Sequence, residues 1–173
     1  MAKPERGVLF CPAMVRALLS DEKTVTRRLT PLPVGTVIWL REPWAAAKVY
    51  DKTTPRCLPL DVLIWYVSDI AAKPVWCGRT RVGRFLPKRL ARPDRFEVVA
   101  VGEERLQDIT EDQAIAEGAL DVFAHPVHSC KIVQCGACAV EDFKQLWDSL
   151  HPAPGERWAD NPVVYPHTLR RLA

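Results

Sequence analysis

The chain has 173 residues, 48% of them hydrophobic, and a formal net charge of +3, which fits one soluble domain with room for a hydrophobic core. So small a positive balance does not by itself imply nucleic acid. No apolar run approaches a membrane span, and the N-terminus lacks a signal-peptide hydrophobic region, so a cytoplasmic protein with no membrane partner is expected.

Pro12 to Ser20 reads as the first helix, because Met14, Val15, Leu18 and Leu19 repeat at helical spacing. Lys23-Thr24-Val25-Thr26-Arg27-Arg28 follows where this helix hands over to a strand. Pro31 and Pro33 stop any regular element, and Gly35 opens a strand from Thr36 to Leu40 that runs into Arg41-Glu42-Pro43-Trp44. Two further β-rich stretches are expected over Ala46–Tyr50 and Val62–Ser68. From about 72 to 95 the chain is irregular and basic: Lys73, Arg79, Arg81, Arg84, Lys88, Arg89, Arg92 and Arg95 face the lone acid Asp94. Phe96–Val101 is a strong strand. Thr110 and Gln113 match a capping box, so a short helix should follow and end at Gly118. Phe143, Leu146, Trp147 and Leu150 mark one face of another helix. Val163–Leu172 is the last strand, with Pro166 placing it at an edge or a bulge. The order suggests an α+β fold in a single domain over residues 1–173, with a small mixed sheet or barrel capped by helices.

Four groups of residues could carry chemistry. In the first, a Lys23 amine set beside the Thr26 hydroxyl becomes a base if burial or the neighbouring Arg27 and Arg28 lower its affinity for protons; otherwise the segment is a solvated basic turn. Glu117 is the second. A carboxylate at a helix C-terminus opposes the macrodipole, so it has a cationic partner, has a job, or is simply exposed. The third is the basic stretch, where Trp76 and Phe85 interleave with cations as in single-stranded nucleic-acid binding; the alternative is a loop whose arginines pair with acids elsewhere. The fourth is an insertion at about 121–139. There Cys130, Cys135 and Cys138 offer three thiolates. His128, or His125, Cys57 or Cys77, would complete a structural zinc site; the alternative is a set of reduced thiols, since the six cysteines of a cytoplasmic chain form no disulfide framework.

The segment Asp21 to Arg28 resembles the G-x-K-x-x-T-x-R motif of ASCH domains, which belong to the PUA-like superfamily, with Asp21 in place of the leading Gly. The likeness is closer still to ASCH proteins of phages and prophages. It extends through Gly7–Leu19, Leu40–Trp44, Arg84-Phe85-Leu86-Pro87, Arg105–Thr110, Ala114–Gly118, Trp147 and Trp158–Pro162. It implies a PUA-like barrel capped by short helices, carrying the basic loop and the Cys/His insertion as additions. For a phage-encoded protein it implies the host cytoplasm. In the related small acetylcytidine amidohydrolases the catalytic Lys, Thr and Glu fall on Lys23, Thr26 and Glu117, and no catalytic cofactor is implied. By that resemblance Lys23 is a base toward Thr26 or a water, and Glu117 moves a proton or holds Lys23. Arg27, Arg28, Arg41, Glu42, Trp44, Arg84, Phe85, Lys88 and Arg89 would contact the ligand: RNA, single-stranded DNA or a modified nucleoside. Three functional readings follow: a hydrolase acting on an amide of a base or on a phosphodiester, a non-catalytic nucleic-acid-binding module, or a phage accessory protein that binds a host protein.

Overall fold

Strand β1 (Glu5–Leu9) opens the chain and pairs in parallel with β3 (Val37–Arg41). The computed structural model describes residues 3–69, 72–118 and 139–172. Between β1 and β3 the chain makes helix α1 (Pro12–Leu19) and strand β2 (Val25–Arg28). Pro12 at the first helical turn sets the backbone for α1 without losing a hydrogen bond. Met14, Val15 and Leu18 turn inward onto Val8, Ile38, Leu40, Phe96 and Val98. The remaining elements are β4 (Trp44–Ala45), β5 (Trp65–Tyr66), β6 (Arg95–Val101), β7 (Glu104–Arg105), α2 (Glu111–Ala116), α3 (Ala139–Leu150) and β8 (Val163–Leu172).

The molecule is therefore α+β. Its main sheet runs β1-β3-β6-β8-β2, with β7 also paired to β8 and every ladder except β1–β3 antiparallel. Among the described residues no ladder joins the outer strands β1 and β2, so the expected barrel is, by hydrogen bonding, an open sheet. A side chain spans that seam: Arg28 Nη2 donates to the Leu9 carbonyl at 3.0 Å. No helix among the described residues is long and apolar enough to cross a membrane.

Helix α2 begins with the expected capping box. Gln113 N donates to Thr110 Oγ1 at 3.3 Å, and Thr110 N donates to Gln113 Oε1 at 3.0 Å. Glu111 then reaches α3, where its Oε2 accepts from the backbone of Ala139 at 3.1 Å and Val140 at 3.3 Å. This acidic cap satisfies free N–H groups at the start of α3 and suits the helix dipole. Phe143 and Trp147 of α3 pack with Leu106, Ile109 and Val164.

Three sequence expectations change. Over 46–50 and 62–68 only Trp65–Tyr66 is strand, paired with Trp44–Ala45; Lys48–Tyr50 is a 3-10 turn, because Tyr50 N bonds locally to Ala47 O. Pro166 does not mark an edge: β8 is an interior strand, with β6 and β7 on one side and β2 on the other. Pro166 sits where β8 changes partner from β6 to β7, and its carbonyl accepts from Gly102, so the N–H it lacks falls at the break between ladders. The bulge lies in β6 instead, between Val98 and Ala100.

The basic stretch is a folded region rather than a free loop. Trp44, Leu58, Leu86 and Leu90 form its core. Its cations are largely used internally. Arg92 bonds Glu42 at 2.7 Å and also pairs with Asp69. Arg81 donates to the carbonyls of Tyr50 and Thr53, and Arg89 to those of Arg56 and Leu58. Lys88 pairs with Glu5 across to β1.

Candidate functional site

Lys23, Thr26 and Glu117 meet at one cavity of about 380 Å³ in the seam between β1 and β2. Leu9, Phe10 and Cys11 line it from one edge, Thr26, Arg27 and Arg28 from the other, and Phe143, Leu146 and Trp147 of α3, with His151 just beyond its end, cover it. Few polar groups converge within mostly apolar walls, the usual makeup of a small-molecule site.

Local backbone geometry brings the parts together. After α1, Asp21 adopts a left-handed conformation with φ of 61°, at the position where the resembling motif carries Gly. Lys23 N then donates to Ala17 O at 2.9 Å. Gly118, with φ of 73°, ends α2 in the conformation that favours glycine. A Cβ on Gly118 would stand 3.0 Å from Ala17 Cβ and 3.5 Å from Lys23 Cβ, so its absence lets the end of α2 close onto α1. Thr24 N donates to Ala116 O at 3.0 Å and ties the two segments.

Lys23 is 3% exposed. Its ammonium donates to Val25 O at 2.6 Å, to Glu117 O at 2.8 Å and to Glu117 Oε2. Burial pushes the Lys23 ammonium below its ordinary pKa, and the Glu117 carboxylate pulls against that shift. Glu117 Oε1 accepts from Arg27 N at 2.7 Å and from Arg27 Nη1 at 3.2 Å. Arg27 also bonds Glu104 of β7 at 2.7 Å through Nε. The helix-terminal Glu117 thus has its cationic partners. Thr26 is buried, lines the cavity, and is not among the hydrogen-bond partners of Lys23.

Two histidines that sequence reasoning did not single out lie at or behind the site: His151 lines the cavity, and His167 is buried behind Thr26. His167, opposite Thr26 in the β2–β8 ladder, accepts from Leu32 N at 2.8 Å through Nε2, while its Nδ1 faces Thr26 O at 3.1 Å. The ring is therefore neutral, with the proton on Nδ1, and burial holds its pKa below the ordinary value. His151 stacks on Trp147 at 4.1 Å between ring centroids at the cavity wall, and burial lowers its pKa too. Its spacing of four from Trp147 continues the apolar face of α3 by one turn, a signal present in the sequence. For His167 no sequence signal separates it from any other inward residue of a strand.

The remaining expected ligand contacts divide. Arg28 lines the cavity, its guanidinium 5.0 Å from the Phe10 ring centre, and Arg41 lies 5.1 Å over Trp39 in an adjoining recess. Arg84 and Phe85 stack on each other at 4.9 Å, with Phe85 exposed. Trp44 is 0% exposed, so it builds the core and offers no face to a base. Glu42 is buried and taken by Arg92 and Ser68. Lys88 and Arg89 are held by Glu5 and by backbone carbonyls, as described above. Cys130, Cys135, Cys138, His125 and His128 lie outside the described residues. Among the described residues no group of three or more His, Cys, Asp or Glu is placed to hold a metal. Of the other candidate zinc ligands, Cys77 is buried and Cys57 exposed.

Comparison with protein-family models, with curated proteins and with solved structures returned no match.

Proposed function

We propose that the cavity takes a modified nucleoside, free or as one base of a single strand, and hydrolyses an amide on that base. The observation that carries this reading is the meeting of a buried ammonium, a hydroxyl and a carboxylate, drawn from segments 94 residues apart, at one nucleoside-sized hollow. In the reaction, Thr26 Oγ or a water beside it attacks the acyl carbon. The Lys23–Glu117 pair takes up the proton released and returns one to the departing exocyclic amine, freeing the unmodified base. Attack by water gives the free acid at once, whereas attack by Thr26 leaves an acyl ester on Thr26 that a water then hydrolyses to the acid, restoring the hydroxyl. Lys23 has no free lone pair until one of its protons passes to Glu117. Its burial favours that transfer, and a ligand that expels water from the cavity favours it further. An ASCH, PUA-like origin of the fold is part of the same proposal, supported by the left-handed turn at Asp21, where the family motif has Gly.

The test is turnover of an N4-acylated cytidine and of short RNAs by the purified chain. Thr26→Ala and Glu117→Gln should each lower the rate by about a hundredfold or more while the circular-dichroism spectrum is unchanged. Full activity in Lys23→Ala rejects the assignment. A second reading draws on the saturated hydrogen bonding of Lys23 and its lack of a bond to Thr26: the cavity binds the base without cleaving it. Salt-sensitive binding with no product, from nucleoside or RNA, would select that reading.

A further inference from the structure

Beside the cavity lies a second recess of about 210 Å³, and the two share Leu9 and Arg28. Arg6, Arg28 and Arg41 line the recess, and no acidic side chain does. Arg27, Arg92, Arg170 and Arg171 each have carboxylate partners. Arg28 and Arg41 are only partly exposed, yet among the described residues neither forms an ion pair. The Nε of each is buried without a hydrogen-bond partner. Arg28 feels the Glu117 carboxylate only through space, and partly buried guanidiniums with no carboxylate in contact are costly unless an anion completes them.

Both guanidiniums are also held in place. Arg28 is fixed by its bond to Leu9 O and by the Phe10 ring. Arg41 lies on Trp39, and Trp39 has its position because β1 carries Gly7 opposite it: a Cβ there would fall 2.4 Å from the Trp39 ring. Forked, preoriented guanidiniums match the geometry of phosphate oxygens. We infer that this recess is a phosphate subsite, so that the ligand is a nucleotide whose base enters the cavity while its phosphate rests on Arg28 and Arg41, with Arg6 at the rim. The link to a base rests on the nucleoside reading above; the anion recess does not. Two sources share the chemistry, the phosphate monoester of a free nucleotide and the phosphodiester of a strand.

Calorimetric titration of the full chain separates these cases, using cytidine, cytidine 5′-monophosphate, a cytidylyl dinucleotide without terminal phosphate, and inorganic pyrophosphate. A phosphate should improve affinity over cytidine by about tenfold or more, and the gain should vanish in Arg41→Ala and shrink in Arg6→Ala. A gain confined to the monophosphate identifies a free nucleotide; a gain kept by the dinucleotide identifies a strand. If cytidine and both phosphorylated ligands fail but pyrophosphate binds in an Arg41-dependent way, the nucleoside reading falls and the anion subsite stands. Absence of any phosphate gain together with absence of pyrophosphate binding overturns the proposal. So does a gain undiminished in both arginine variants.

Discussion

At the scale of single residues, the site rests on ionisable groups whose charge is decided by burial. His167 spends both ring nitrogens inside the protein, on Leu32 N and Thr26 O. Its folded pKa lies below the ordinary 6.5. Between those two values the unfolded chain binds a proton that the folded chain does not, so stability is lost as pH falls through and below about 6.5. The urea midpoint should therefore drop from pH 7 to pH 5. His167→Gln, which keeps a donor and an acceptor, should lose that part of the slope. Lys23 behaves alike at the other end of the scale. Its depressed pKa means that stability increases as pH rises toward its ordinary value of 10.5. The grouping of Lys23, Thr26 and Glu117 comes from the resemblance to the amidohydrolases; residue types and spacing alone leave a solvated turn and an exposed carboxylate open, and all three side chains line one cavity. That Lys23 would be saturated by two carbonyls and a carboxylate was not legible, because the carbonyl of Glu117 arrives from a distant helix end.

At the scale of elements, the decisive piece is the closure of α2 onto α1 through Gly118. Alanine there would carry a strained left-handed backbone and press on Ala17 and Lys23. Gly118→Ala should cost about 1–2 kcal/mol in chemical denaturation, and should weaken ligand binding beyond the loss of stability because Glu117 is displaced from Lys23. The capping box and the glycine stop of α2 were legible because both are local rules satisfied within a few residues. Strand β1 was not. Its sequence, Glu5-Arg6-Gly7-Val8-Leu9, opens with two charges and a glycine, and its strand character comes from pairing with β3 some thirty residues later. The interior place of β8 was hidden for a related reason: Pro166 argues locally for an edge, and only the gap between β6 and β7 makes it tolerable.

Across the whole molecule, the fate of the basic stretch was set by partners far away in the chain. Arg92 finds Glu42 at a separation of fifty residues and fastens the region around β4 and β5 to the end of β3. Counting charge within the stretch could not reveal this, since local acids are scarce while the compensating ones come from residues 42 and 69. Arg92→Ala leaves the fully buried Glu42 without its cation and should cost about 3 kcal/mol or more. Adding Glu42→Gln should recover part of that loss, which a double-mutant cycle by urea denaturation would measure. The sheet imposes one further order of events. One interior strand, residues 163–172, pairs with β6, β2 and β7. A nascent polypeptide still holding that segment in the ribosomal tunnel has the β1-β3-β6 sheet with β2 and β7 still unattached, so the seam and its hollow wait for that segment to emerge.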